Sequence, residues 1–249
     1  MTNRISKPAN FIFNVIFLAL ALTAIVPFVL VFMISISNEE TIRLYGYHLI
    51  PKKFSVEAYR FLWNERDMML QSLGISLANT VIGTLISVML TTSMGYVLSR
   101  PQYKMKGFLT YMIFIPMIFS GGMVASFVVN INILHLRDTI WAMILPLLLS
   151  SFNIIFCRSF FKSTIPESVI ESARIDGASQ LRIYGKIVLP LSAPVIATMA
   201  LFSSFGYWND WYQASLYISN PKLIPLQTML MKLQADIDYL ANNPTAGLS

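Results

Sequence analysis

The residues able to do chemistry are few, and their types exclude most of it. One cysteine, Cys157, and two histidines, His48 and His135, are too few for a Cys/His metal cluster, and a single thiol closes no bridge within the chain. The only Gly-Lys pair, Gly185-Lys186, is followed by Ile187 and is no phosphate loop. Neither a Gly-x-Ser-x-Gly elbow nor a His-Glu-x-x-His pair occurs. Two polar groupings remain. Residues 162–190 mix four basic side chains with three acids, and Trp208, Asn209, Asp210, Trp211 and Tyr212 set aromatic faces beside an amide and a carboxylate. The second grouping suits either a headgroup belt, where Trp and Tyr are enriched, or contact with a pyranose or a delivering protein. Asn153, with Asn130 and Asn132, suits either a polar path or hydrogen bonds between helices.

The elements that must position these groups are read from the rest of the 249 residues, of which 55% are hydrophobic and 12% charged, about half the usual charged fraction. Five stretches carry no formal charge: Pro8–Asn38, Met68–Ser99, Gly107–Leu136, Thr139–Cys157 and Ile187–Asn209. A helix needs about 20 apolar residues to cross a bilayer, so each is long enough or nearly so. A soluble enzyme, a disordered chain and a disulfide scaffold are thereby excluded. Spans are expected at about 11–36, 72–98, 108–129, 139–161 and 193–207, all helical, because open strands cannot satisfy their backbone groups in lipid and the runs lack a barrel's alternation. The first run, Phe11 to Ile36, is far longer than the roughly 7–15 residues of a signal-peptide core and reads as an uncleaved span.

With the N-terminus in the cytoplasm, the inner segments 1–10, 99–107 and 158–192 hold ten of the 18 lysines and arginines but three of the 12 acids. The positive-inside rule favours that orientation, and it accounts for the net charge of +6 without nucleic acid as a partner. No Asp, Glu, Lys or Arg lies in the middle of a span. Proton-coupled transporters need such groups, so any transport must draw its energy from a partner. Pro27, Pro116, Gly121, Gly122 and Pro146 punctuate the spans, as packing devices or as hinges along a pathway. Gly83 and Ser87 form a small-xxx-small pair that predicts close helix contact.

Within 162–190, Thr164 followed by Glu167 is a capping-box pattern that predicts a short helix with Pro166 in its first turn. Ile165, Val169, Ile170 and Ala173 give it an apolar stripe, and Asp176-Gly177 a stop. Ser179 then caps a second helix with its stripe at Leu181, Tyr184 and Val188, leading to Pro190. The result is a helix-turn-helix elbow, lying on headgroups or serving as a docking element.

The spacing of this elbow carries a resemblance. Glu171-Ser172-Ala173, three residues, Gly177, nine residues, then Ile187, Leu189 and Pro190 resembles the EAA loop in permease subunits of bacterial ATP-binding-cassette importers, with Ser172 in place of the first alanine. Asp176-Gly177-Ala178 and Trp208-Asn209-Asp210-Trp211 further resemble the carbohydrate-uptake, maltose-permease-like branch. The likeness runs from the first span to about Tyr217 and is strongest over 165–211.

The resemblance implies an all-α, polytopic helical bundle of the type I importer permease kind, forming a single transmembrane permease domain over 1–249. It implies a bacterial inner-membrane location with membrane lipid around it, and a sixth span beyond the five visible here. Its partners would be a homologous second permease, two copies of an ATPase and an extracytoplasmic solute-binding protein. ATP and magnesium would belong to the ATPase, with no cofactor, metal or catalytic residue in this chain. Glu171 would pair with a basic group on the ATPase, Gly177 would permit the sharp turn, and Ile187, Leu189 and Pro190 would pin the loop to the fifth span. The cargo implied is an oligosaccharide, acidic ones from alginate or pectin included. Rivals from other classes are a membrane channel and a docking or sensor protein that uses the elbow only as an interaction site.

Overall fold

The computed structural model describes residues 7–243. Arg4 and the tail 244–249, which enter the charge count and the expectation of a sixth span, lie outside the described residues. The described residues are helical apart from turns and one isolated antiparallel bridge, Ser37 to Phe54. The chain divides into two compact units, Met1–Met69 and Leu70–Ser249.

In the first unit, α1 (Lys7–Ser35) is 29 residues long, apolar on all sides, and carries Pro27 in its interior. A helix hydrophobic all round suits lipid. Asn38 caps α2 (Glu39–Tyr45) by accepting from the Thr41 N–H, and α3 (Glu57–Asn64) follows. Backbone bonds from Asn38 N to Lys53 O at 2.9 Å and from Ser55 N to Ile36 O at 2.9 Å close the loop between them. Ser35 Oγ meets Tyr59 Oη at 2.8 Å, which ties α3 back to the end of α1.

The second unit is organised by α4 (Arg66–Ser99), 34 residues long. It starts six residues before the expected span, because hydropathy marks only the part in lipid and a helix continues past it. Its buried face is a row of small and hydroxyl residues that includes Ser72, Ser76, Gly83, Ser87, Thr91 and Gly95, spaced mostly by four. Small residues let helix backbones approach in a membrane, where the hydrophobic effect gives helices no reason to associate. A Cβ on Gly83 would lie 2.7 Å from the Tyr207 ring, and one on Gly95 would lie 2.7 Å from Cys157 Cβ. Ser87 Oγ is 3.4 Å from Ser203 Oγ. The expected small-xxx-small contact is thus made against α12 (Ala193–Trp208), and Gly95 adds a second one against α8 (Ser151–Thr164).

The third expected span is not one continuous helix. α5 (Lys106–Ile118) stops after Pro116, and α6 (Gly122–Val128) begins at a glycine with φ +78° and runs into a wide turn at Val129–Ile133. Proline removes a ladder hydrogen bond, and Gly122 reaches a left-handed conformation that costs other residues energy. The fourth expected span is also divided: α7 (Trp141–Ile144) continues as a 3-10 turn at Leu145–Leu147 and then bends by 52° into α8. α1 and α4 are the uninterrupted helices of crossing length and apolarity among the described residues. The rest of the unit comprises α9 (Glu167–Ile175), α10 (Gln180–Ile183), α11 (Leu189–Leu191), α13 (Tyr212–Tyr217) and α14 (Leu226–Asn242).

Three hydrophobic cores form; the smallest joins Leu98 of α4 to Ile113 of α5 and Ile154 of α8, and the other two lie toward opposite ends of α4. One gathers Cys157, Phe161, Ile165, Ile170, Ile183, Val188, Val195 and Met199 around Tyr96. The other gathers Ala142, Met143, Ala214, Tyr217 and Ile218 near Ile75.

Because Gly95 faces the Cα–Cβ bond and backbone of α8 rather than a movable side-chain tip, Gly95→Ala forces the two helices apart. We expect a loss of about 1–3 kcal/mol by overpacking, seen as a lower thermal unfolding midpoint in detergent. Gly107→Ala, at a helical site with open space around it, serves as the control: it adds helix propensity without a clash and should not lower the midpoint. Equal midpoints for both variants would mean that α4 and α8 do not pack this closely.

Candidate functional site

The elbow departs from the expected capping box at its first residue. Thr164 ends α8 rather than capping the next helix; the chain turns at Ile165, and Pro166, with φ −61° and ψ 137°, stands at the N-cap of α9 without a side-chain bond. The Glu167 carboxylate is therefore free for another partner and takes Arg100 Nη1 at 2.9 Å. An acid in the first turn also suits the helix dipole.

At the other end of α9 the motif spacing becomes geometry. Gly177, with φ +77°, donates its N–H to Arg174 O at 3.0 Å, and Ala178 donates to Ala173 O at 2.9 Å. These are the two bonds of a Schellman ending, which requires a left-handed residue four positions after Ala173. Ala173 and Ala178 pack together against the core around Tyr96, as the hydrophobic contact of that motif demands. Ser179 then accepts the Arg182 N–H and starts α10.

The faces of the elbow are now defined. Ile165, Ile170 and Ile183 are buried, and Ala173 packs beside them. Val169, expected in the stripe, is largely outside it. After Ile183 the helix widens into a π turn over Tyr184–Val188, so Val188 is buried while Leu181 is 83% exposed, the reverse of its expected role. Ile187 packs against the core, Leu189 is half-buried in α11 and Pro190 is exposed beside it. The segment Gln180–Leu191 then bends by 83° into α12. Glu171, Ser172, Asp176 and Gly177 face outward, together with Ile175 at 86% exposure.

Side chains from the end of α4 hold the elbow in place. The Arg100 side chain is 7% exposed, lies 5.2 Å over the Tyr96 ring and bonds Glu167. Gln180 meets Tyr96 Oη at 3.2 Å; with its amide nitrogen donating there, its oxygen accepts from Arg174 Nη2 at 3.2 Å and Nε at 3.1 Å. Arg174 also bonds Gln102, and Tyr184 Oη is 2.8 Å from Thr92 Oγ1. Sequence reasoning missed Arg100, Gln102 and Gln180, whose partners lie far along the chain.

A cavity of about 550 Å³ opens where the third helix is broken. Ser120, Ser126, Asn130, Tyr212, Gln213 and Tyr217 supply its polar groups, and no formally charged side chain lines it. Asn130 donates to Tyr217 Oη at 3.0 Å and to Ser126 O at 2.9 Å, which fixes the wide turn of the broken helix against α13. Of the path candidates, Asn130 and Tyr212 line this cavity. Asn153 sits half-buried in the first turn of α8, where Ser150 caps its N–H. Trp208 ends α12, and Asn209 bonds back to Phe205 O. Asp210 Oδ1 accepts the Gln213 N–H at 3.4 Å, and burial raises its carboxyl pKa from the ordinary value. Trp211 stacks edge-on against Tyr212 at 6.1 Å. Ser126, Gln213 and Tyr217 carried no sequence signal. Nearby, the Asp138 carboxylate accepts from the N–H groups of Ser219 at 2.6 Å and Asn220 at 2.7 Å. Those two bonds, Asn220's first, hold its pKa below the usual value.

Known proteins share this chain's sequence and fold. Residues 104–248 match the binding-protein-dependent transport system inner membrane component family. The chain belongs to that family. It is 36% identical to the protein LplC of Bacillus subtilis (strain 168) over 231 residues, 92% of this chain and 77% of LplC. It is 40% identical over 216 residues to the polygalacturonan/rhamnogalacturonan transport system permease protein YtcP of the same organism, covering 87% of this chain and 74% of YtcP. In three dimensions it is similar to a solved bacterial ABC transporter involved in the import of the acidic polysaccharide alginate, with a TM-score of 0.81, 29% identity, and coverage of 93% of this chain and 82% of that one. The expected family and its helical permease fold are therefore borne out, and this permease is an inner-membrane component of a transport system rather than a catalytic protein.

If Arg100 and Glu167 hold the elbow to α4, Arg100→Met leaves the Glu167 carboxylate half-buried and unpaired. We expect either Arg100→Met or Glu167→Met to lower stability by about 1.5–3 kcal/mol, the range for hydrogen bonds to charged groups, discounted toward the lower end because Glu167 is partly exposed. The exchange Arg100→Glu with Glu167→Arg should recover part of the loss of the corresponding single charge reversals in a double-mutant cycle. Strict additivity of the two reversals would show that the pair does not interact.

Proposed function

We propose that this permease is one of two homologous membrane halves of an ATP-driven, binding-protein-dependent importer of carbohydrate. The cargo class is oligosaccharide, acidic ones from pectin or alginate included. The names of its relatives support that class: YtcP is a polygalacturonan/rhamnogalacturonan permease, and the similar solved transporter takes part in alginate import. In this reading two ATPase subunits bind ATP with magnesium, an extracytoplasmic binding protein delivers the sugar, and the N-terminus is cytoplasmic.

The observation that carries the reading is the division of the elbow into two faces. Its inner face is buried and tied to α4, while Glu171, Ile175 and Leu181 project outward from a rigid turn. Exposed Ile and Leu on a short polar helix suit a protein partner. A push on this face would move α9, α10 and the end of α4 together, and α12 with them through the 83° bend. That is how ATPase closure would tilt the helices around the translocation path. The uncharged polar cavity at the broken helix, with the Tyr212 face and the amides of Asn130 and Gln213, suits sugar hydroxyls. Trp208, Asn209, Asp210, Trp211 and Asn153 remain candidates for the path or for binding-protein contact.

Orientation is checked by placing single cysteines. Lys53→Cys should react with an impermeant thiol reagent added to intact cells and Lys104→Cys should not, with Cys157 buried and silent. The opposite pattern would invert the orientation.

Docking is checked on the assembled importer. Glu171→Lys reverses a charge at the contact, and Ile175→Asp places a charge where an apolar anchor is expected; loss of either kind of contact typically costs about 2–5 kcal/mol at an interface. Both variants should still pair with the second permease but recover less ATPase, and substrate-stimulated ATP hydrolysis and uptake should fall together. Wild-type recovery and uptake in both would rule the elbow out as the docking element. Failure of the wild-type chain to co-purify with any ATPase would favour the channel or sensor alternatives.

A further inference from the structure

A groove of about 660 Å³ runs along α5 with Lys106 and Arg158 at its charged end. Its wall is apolar and, among the described residues, open: Tyr111, Ile115, Ile118 and Phe119 are all more than half exposed. From Lys106 to Ile118 the helix rises about 18 Å at 1.5 Å per residue, close to the roughly 15 Å depth of one hydrocarbon leaflet. Lys162 stands one turn beyond Arg158 on α8 and adds a third cation on that side. None of Lys106, Arg158 and Lys162 forms an ion pair among the described residues. The crowding is physical: partial desolvation, and after it the cations of Arg158, Lys162 and Arg100, hold the Lys106 ammonium below its ordinary pKa.

We propose that this groove holds an anionic phospholipid, with its phosphate against Lys106 and Arg158 and one acyl chain along the wall that ends at Phe119. A lipid supplies both parts that the site lacks, an anion at one end and a hydrocarbon chain of leaflet length at the other. A helix of a second permease would fill the wall but would leave the three cations unneutralised unless it carried acids at that depth. The inference rests on the membrane location of the family and not on the cargo or on the elbow.

The test uses the assembled importer in mixed micelles containing phosphatidylglycerol and phosphatidylcholine, with retained lipid read by native mass spectrometry. Wild type should retain phosphatidylglycerol selectively, and each of Lys106→Gln and Arg158→Gln should lower that preference about fivefold, the effect of roughly one basic residue at a membrane surface. Lys106→Arg and Arg158→Lys should keep it. Ile115→Trp, which fills the wall and leaves the charges, should reduce retention of phosphatidylglycerol, and it carries the test if a charge variant fails to assemble. Equal retention of the two lipids would overturn the proposal, as would unchanged selectivity in the double charge variant. Displacement of the lipid by millimolar glycerol phosphate would overturn it in favour of a free-anion site. Capture of the second permease, rather than lipid, by a photo-crosslinker at Tyr111 would overturn it in favour of a protein interface.

Discussion

In lipid, apolar side chains gain little by touching one another, so a membrane helix is held by how closely its backbone approaches its neighbours. α4 meets that constraint with one continuous row of small residues, at two of which a neighbouring helix comes close. Gly83 admits the ring of Tyr207, whose hydroxyl donates a hydrogen bond to Ile144 O at 3.1 Å and so joins α12 to α7. Gly95 admits the backbone of α8 at Cys157. These two positions seat three other helices against the same face. The two larger hydrophobic cores then form toward its two ends, where Ile75 and Tyr96 extend from the same helix.

The elbow is built at the end of this strut, and its motif has a physical reading residue by residue. A Schellman ending fixes the distance between Ala173 and Gly177, because the 6→1 bond from Ala178 must reach Ala173 O. Its hydrophobic contact makes Ala173 face inward. Ser172, one residue earlier, points outward and bonds back to Ser168 O, so a hydroxyl there disturbs nothing. The departure from alanine at 172 is therefore tolerated by position, where the same change at 173 would put a hydroxyl into the core.

Much of this was legible in the sequence, and what was not has identifiable causes. Charge-free runs located the apolar segments, since lipid selects for them directly. They did not locate the breaks at Phe119–Gly121 and Leu148–Ser150, because hydropathy does not register a backbone turn inside an apolar stretch. Thr164 and Glu167 have the spacing of a capping box, but α8 continues through Thr164 on the packing of Phe161. Leu181 was placed inward by a 3.6-residue period that the π turn at Tyr184–Val188 overrides. Arg100, Gln102 and Tyr96 meet the elbow across roughly 70 to 80 residues of chain, a separation that spacing rules cannot reach. In the aromatic cluster the sequence offered five neighbours of similar chemistry, and only the start of α13 decides that Tyr212 faces the cavity while Asn209 turns back on α12.

The irregular helices and the regular one divide the work of the unit. A break in a membrane helix exposes backbone groups that must be satisfied, and it survives where protein or a water-filled cavity meets them. Here the break before Gly122, the wide turn at Val129–Ile133 and the bend before α8 all border or adjoin the cavity, whose rim is finished by Asn130, Tyr212 and Gln213. α4 runs unbroken for 34 residues and carries the ties to the elbow. A displacement entering at α9 therefore meets a stiff element first and compliant ones beyond it. Rearrangement concentrates where helices are already interrupted, since turning a glycine-flanked joint requires no helical hydrogen bond to break. The cavity sits at those joints, so in the proposed importer its shape is the property that elbow motion changes most.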